Sequence, residues 1–340
     1  MKQTKKNSMW RLVALVALLW LLPSAQVASA QTKIAIASPG AISVAVSIPL
    51  AIAREQGLFA KYGLEARVNV RIPPLVGKES ELGVIGTPVA LLQIAQQGTD
   101  LKILGAFNTG RISGHLVTRA EIKKPEDLRG KRLGAGVAIG AAGWISLILA
   151  LEHFGLDPKR DNITIVSGGD AFQTAKALED GTIDAAMLTP AQSSQMKPKG
   201  FMVLLDMYQN NVYGVQPVLA TTGAYLQEHP DVVEKVMTAL VEAMAFSLAP
   251  TNKPTVLKTI MKELKLTDPA PGERGYQDLR NLNRKPYPTV ERLRSMQKVM
   301  ALHEPKVLDL KVEDVIDDRF VRKLDENGTI DRLYNTYGVK

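Results

Sequence analysis

The sequence predicts an α/β fold, on three observations. Short β-like runs alternate with helical patterns along most of the chain. Glycine or proline punctuates most junctions between them. The composition, 46% hydrophobic and 22% charged over 340 residues, is that of a globular protein able to bury a sizeable core, and the length favours about two domains.

In chain order, Lys33–Ala37 reads as the first strand, and Ser38-Pro39-Gly40 turns out of it. A helix is expected from about Ile48 to Gln56, with Pro49 near its first turn and Gly57 as its stop. Leu64–Val70 and Glu81–Ile85 are strands, the latter ending at Gly86-Thr87-Pro88, and a helix over Val89–Gln97 stops at Gly98. Leu101–Ala106 and His115–Thr118 are strands, and a turn-rich link from Lys124 leads into Arg132–Gly136. Gly140-Ala141-Ala142-Gly143 opens a helix, Trp144–Phe154, apolar on most faces and closed by Gly155. Ile163–Val166 and Ile183–Leu188 are strands around a helix that ends at Gly181. Asp170 and Gln173 have the spacing of a capping box before that helix. After Val212–Ala220 the chain turns helical: Asp231–Leu248 carries one apolar stripe, Tyr287–Met300 is amphipathic, and Val315–Leu324 and Thr329–Tyr337 are short terminal pieces.

Residues 1–30 read as an export signal. Lys2, Lys5, Lys6 and Arg11 precede the apolar run Leu12–Leu22, Pro23 breaks it, and Ala28-Ser29-Ala30 offers a cleavage site before Gln31. The run is too short to span a bilayer comfortably. The whole chain has a net charge of +8, and removal of four basic groups with the leader leaves +4, with no dense basic run, so nucleic-acid binding has little support. The absence of cysteine excludes a disulfide framework, a thiolate metal site and a lipid-anchoring cysteine at the cleavage site.

IAREQGLFAKYGLEARV (Ile52–Val68) and GTPVALLQIAQQGTDLKILGAF (Gly86–Phe107) resemble the opening of the bacterial solute-binding proteins for nitrate, alkanesulfonates and thiamine-precursor pyrimidines. LVTRAEIKKPEDLRGKRLGAG (Leu116–Gly136) and ALEDGTIDAAMLTPAQSSQMKPKGFMVLLDM (Ala177–Met207) are similar to the start and end of that family's second lobe. The resemblance runs from Lys33 to about Leu248. It departs at Arg71–Ser80, where the segment is short and carries Pro73-Pro74.

The resemblance implies a two-lobed type II periplasmic-binding-protein fold, each lobe a mostly parallel sheet flanked by helices. Residues 31–112 and 218–340 would form one lobe, and residues 113–217 the other. Crossings near Arg111–Thr118 and Val212–Ala220 would serve as hinge, with ligand in the cleft between the lobes. It also implies a periplasmic monomer that hands a small, anionic solute to an inner-membrane ABC permease and its ATPase, with no cofactor.

The candidate ligand contacts lie at turns after strands, where α/β sheets place ligands. Gly140, Ala141, Ala142 and Gly143 let a ligand approach free N–H groups at a helix start, or serve only close packing. Trp144 stacks on the ligand or sits in the core. Ser38, Pro39, Gly40 and Ser43 follow the first strand, and Thr87 follows the third; each lines the cleft or is plain turn chemistry. Arg111 clamps a carboxylate or sulfonate, or is a solvated surface residue. Asp170 and Thr189 close the set, Asp170 weighing more as a helix cap.

Enzyme chemistry finds little in the sequence. His115, His153, His229 and His303 are widely separated, and there is no G-x-S-x-G turn or Walker loop. A eukaryotic enzyme of similar fold that makes a thiamine pyrimidine relies on a cysteine-rich motif that this chain lacks. The alternatives to an importer component are a binding protein that signals to a membrane receptor and, more remotely, an exported enzyme.

Overall fold

The computed structural model describes residues 31–38, 44–70, 76–77, 79–135, 142–167 and 171–339. The expected leader lies outside these residues, as do Pro39, Gly40, Ser43, Gly140, Ala141, Asp170 and most of the Arg71–Ser80 departure.

Among the described residues, ten strands form two five-stranded sheets: β1 (Thr32–Ser38), β2 (Leu64–Val70), β3 (Leu82–Gly86), β4 (Leu101–Ala106), β5 (His115–Thr118), β6 (Arg132–Gly134), β7 (Thr164–Val166), β8 (Ala185–Leu188), β9 (Met202–Asp206) and β10 (Pro217–Thr222). The first sheet has the order β2-β1-β3-β10-β4 and the second β7-β6-β8-β5-β9. In the first, β1 pairs parallel with β2 and β3, and β10 runs antiparallel to β3 and β4. In the second, β6 pairs parallel with β7 and β8, and β5 runs antiparallel to β8 and β9. The sheets are therefore mixed where strand–helix alternation predicts mostly parallel pairing. The reason is topological: β5 and β10 each arrive from the other sheet along a short connection, without a crossover helix to return them parallel.

The helices are α1 (Val44–Glu55), α2 (Leu58–Lys61), α3 (Thr87–Gln97), α4 (Ala142–His153), α5 (Ala171–Glu179), α6 (Pro190–Met196), α7 (Gly223–Glu228), α8 (Pro230–Leu248), α9 (Lys253–Glu263), α10 (Pro269–Asp278), α11 (Val290–Ala301), α12 (Val312–Val315), α13 (Arg319–Glu326) and α14 (Thr329–Thr336). None of the described helices is long and apolar enough to cross a membrane. Gly57 and Gly98 end α1 and α3 as the sequence predicts, both left-handed at φ 67° and 64°. α1 starts four residues earlier than expected, so Pro49 lies inside it and removes one helical donor instead of sitting in the first turn. β9 escaped prediction because Met202–Leu205 is a continuous apolar run without alternation.

Each sheet is covered on both faces. Ile34, Ile36 and Leu82 pack in one cluster with Ile48 of α1 and Val233, Val236 and Leu240 of α8, and the predicted stripe of α8 is buried throughout. Ala37, Ile85 and Val218 face the other way, toward Ala90 and Leu293. In the second sheet Leu116, Leu133 and Ala185 cluster with Ile145 and Leu149 of α4, while Val117, Ala186 and Leu188 cluster with Leu178 and Met196. The cluster beside α4 also takes in Leu91 of α3 and Met296, Val299 and Met300 of α11. Apolar packing thus bridges the boundary expected between residues 113–217 and the rest.

One buried carboxylate ties the first sheet's helices together. Glu242 of α8, 1% exposed, accepts from Lys61 Nζ at 2.7 and 2.8 Å, from Tyr62 OH at 2.6 Å and from Tyr337 OH at 2.7 Å. Burial alone would raise its pKa, but the bonds from Lys61, Tyr62 and Tyr337 outweigh that and hold it below the usual glutamate value. Burial and the bond to Glu242 push both phenols up.

Candidate functional site

Two segments connect the sheets, Phe107–Gly114 and Met207–Gln216, and they lie side by side. Arg111 and Tyr213 form an antiparallel bridge. Ile112 N donates to Val212 O at 3.1 Å, and Gly214 N donates to Gly110 O at 2.7 Å. The approach is close enough to demand glycine twice. Gly110 is left-handed at φ 68°, and a Cβ there would lie 2.8 Å from Gln216 Cγ. A Cβ on Gly214 would lie 2.9 Å from Ile112 Cγ1. Gln216 Nε2 and Asn283 Nδ2 both donate to Asn108 O at 2.8 Å, which fixes where the first segment leaves the first sheet.

Arg111 stands in this crossing, as the sequence predicts, but its guanidinium is already anchored. Nη2 donates to Tyr208 O at 3.3 Å and to Asn211 Oδ1, and the guanidinium carbon lies 4.3 Å from the centre of the Tyr208 ring. Its Nε is buried without a partner, as are His115 Nδ1 and Gln216 Oε1 nearby in sequence to the same crossing. Such orphaned groups are uncommon in folded proteins and call for a functional or solvent partner. His115 Nε2 is 3.4 Å from Asp206 Oδ2 across the β5–β9 pairing.

The other described candidates lie at the end of a strand or at the start of a helix. Ser38 is the buried last residue of β1. Thr87 starts α3 and is 2% exposed. Its N–H donates to Gln216 O at 3.0 Å, and its hydroxyl accepts from Gln216 N at 3.4 Å. Its hydroxyl oxygen thus stitches α3 to the second connecting segment. Ala142 is exposed and Gly143 half-buried in the first turn of α4, where helix N–H groups lack intrahelical acceptors. Trp144, next in line, is 6% exposed and belongs to the apolar cluster of the second sheet, so it is a core residue here. Thr189 is exposed and caps α6: its Oγ1 accepts from Gln192 N at 3.3 Å, and Gln192 Oε1 accepts from Thr189 N at 3.0 Å. The capping box expected at Asp170 lies outside the described residues, whereas this one went unnoticed although Thr189 and Gln192 have the same spacing.

Tyr208, Asn211 and Tyr213 were missed as well. Their signal, the polar and aromatic run Tyr208–Tyr213 between two strands, becomes visible only once β9 is recognised. A cavity of about 190 Å³ lies beside this crossing, lined by Leu149, Glu152, Asn211, Tyr213, Arg292 and Ser295 among others, and by none of the candidate ligand residues.

The family model described as NMT1/THI5 like matches residues 45–252, more than half of the chain. The chain belongs to the NMT1/THI5-like family. A taurine-binding periplasmic protein of Escherichia coli (strain K12) is 26% identical over 205 residues, which cover 57% of this chain and 62% of that relative's length. Among solved structures, a sulfonate ABC transporter's periplasmic sulfonate-binding protein SsuA from Methylobacillus flagellatus KT, described as putative, superposes with a TM-score of 0.63 at 16% identity, over 88% of this chain and 95% of that one. A mutant of DSZB, a desulfurization enzyme, with cysteine replaced by serine and in complex with biphenyl-2-sulfinic acid, superposes with a TM-score of 0.55 at 15% identity, over 87% and 99%. These similarities show that this chain shares its α/β fold with periplasmic binding proteins and with a desulfurization enzyme.

Proposed function

We propose that this protein is the exported substrate-binding component of an ABC-type importer, capturing one small organic anion by hinge closure. Residues 31–112 with 218–340 form one lobe, and residues 113–217 the other. The observation that carries this reading is the pair of connecting segments joined at Arg111 and Tyr213, the sole described passages of chain between the two sheets. Both connecting segments lie outside the strands and helices, where a few residues can absorb a change of φ and ψ, so the crossing suits a hinge.

The ligand class follows from the described strand ends. Ser38, Thr87, Ala142, Gly143 and Thr189 carry no charge, the starts of α3 and α4 favour an anion through their dipoles, and Arg111 adds a cation at the crossing. A sulfonate, nitrate or carboxylate fits such a lining, in keeping with the names of the taurine- and sulfonate-binding relatives. The protein works in the periplasm after cleavage behind Ala30, as a monomer, and its partners are an inner-membrane permease and its ATPase. Binding without turnover is favoured over desulfurization because the whole chain contains no cysteine, whereas DSZB was studied as a cysteine-to-serine mutant with its sulfinic acid bound.

A thermal-shift screen of taurine, ethanesulfonate, nitrate and small carboxylates tests the proposal. A ligand at about 100 times its dissociation constant adds roughly 2.7 kcal/mol of stability, readily seen as a raised Tm. No shift with any anion, or loss of the compound on incubation, overturns it.

A further inference from the structure

The crossing is not the only link between the proposed lobes. α4 belongs to the second sheet, and α11 to the C-terminal segment, yet the two helices touch. Ser295 Oγ donates to Glu152 Oε2 at 3.1 Å, and Lys298 Nζ lies 3.7 Å from Glu152 Oε1. Ile148 and Leu149 share an apolar cluster with Met296 and Val299. Open depressions of about 190 and 250 Å³ border the contact, and Glu152 lines both. Beside it the Arg292 guanidinium stacks 4.2 Å from the centre of the Tyr213 ring, which ties α11 to the crossing itself.

The position of α4 makes it a lever. Its first turn, at Ala142, follows the carboxyl end of β6. Leu149 lies against the crossing, its Cδ1 3.7 Å from where a Gly214 Cβ would stand. Glu152 lies beyond that point, about 15 Å along the helix from Ala142. We infer that the Glu152–Ser295–Lys298 contact is a brace that holds the lobes apart: tilting the first turn of α4 into the cleft lifts Glu152 away from α11. The inference rests on the two-lobed clamp proposed above. The brace sets how often the ligand-free protein visits the closed form, and thereby the apparent affinity, without touching ligand.

The test needs no ligand. Lys123→Cys and Asn335→Cys place one spin label on each proposed lobe, at exposed positions of a chain without cysteine. Pulsed-resonance distance distributions are then compared among brace variants. Glu152→Lys sets a cation against Lys298 and Arg292, and raises the closed, short-distance population at least threefold. Lys298→Glu, which sets two carboxylates together, does the same and serves if the first variant folds poorly. The charge-swapped double variant Glu152→Lys with Lys298→Glu restores the parent distribution. If the parent shows two distances and neither single variant changes their ratio, the brace is wrong while the clamp stands. One unchanging distance in every variant overturns the brace, while the clamp is then judged by the scattering titration with ligand.

Discussion

Arg111 and Tyr213 pair backbone to backbone where the two connecting segments run side by side, and each offers its side chain to a different neighbour. Arg111 reaches the Tyr208 turn, and Tyr213 lies under Arg292 of α11. The crossing is thus a built junction, with side-chain anchors on both flanks.

Arg111→Ala removes a charged donor from Tyr208 O and Asn211 as well as the stacking on Tyr208. If its free Nε–H also serves the ligand, affinity falls about ten- to a hundredfold, the equivalent of roughly 1.5–3 kcal/mol. Calorimetric titration and melting of the same sample separate the two contributions: a lowered Tm with unchanged affinity assigns Arg111 to the junction alone.

Gly110→Ala forces a side chain into a left-handed backbone position and against Gln216 Cγ. The cost is roughly 2 kcal/mol, concentrated at the junction. Urea unfolding shows a lower midpoint with unchanged slope. Wild-type stability in this variant would mean that the two segments are not held as closely as described.

Ala142→Leu adds bulk at the exposed first turn of α4 without entering the core. Leucine is a good helix former, so Tm stays within a few degrees while ligand affinity drops at least tenfold. Unchanged affinity would remove the start of α4 from the binding site.

Much of the fold was legible because its signals are local. Gly57 and Gly98 end helices by adopting left-handed backbone, and the period of Val232 to Met244 marks a buried helix face. The pairing of β5 and β10 was not legible, since strand direction depends on a connection that crosses to another sheet. For the candidate site, local pattern gives turn positions but not side-chain partners. Thr87 and Trp144 occur where a ligand-facing residue is expected, but a hydrogen bond to Gln216 occupies one and core packing the other. Such partners lie 129 residues away in sequence for Thr87, beyond any local pattern.

Acid stability carries a separate signature. The folded pKa of Glu242 is depressed, so its contribution is complete above the unfolded value of about 4.3 and is lost as pH falls through the lower folded value. Glu242→Gln costs about 2 kcal/mol at neutral pH, through weaker bonds to Lys61, Tyr62 and Tyr337. It also flattens the fall in stability below about pH 4. Denaturation curves from pH 7 to pH 3 check both; a variant as acid-sensitive as wild type would place the titrating group elsewhere.

Hinge closure around one anion is the central claim, and small-angle scattering during a titration tests it most directly. The titrant is the anion that gives the largest melting shift. The account predicts a radius of gyration that falls and levels off at one ligand per chain. A radius that stays constant to saturation, with the ligand bound, would contradict it.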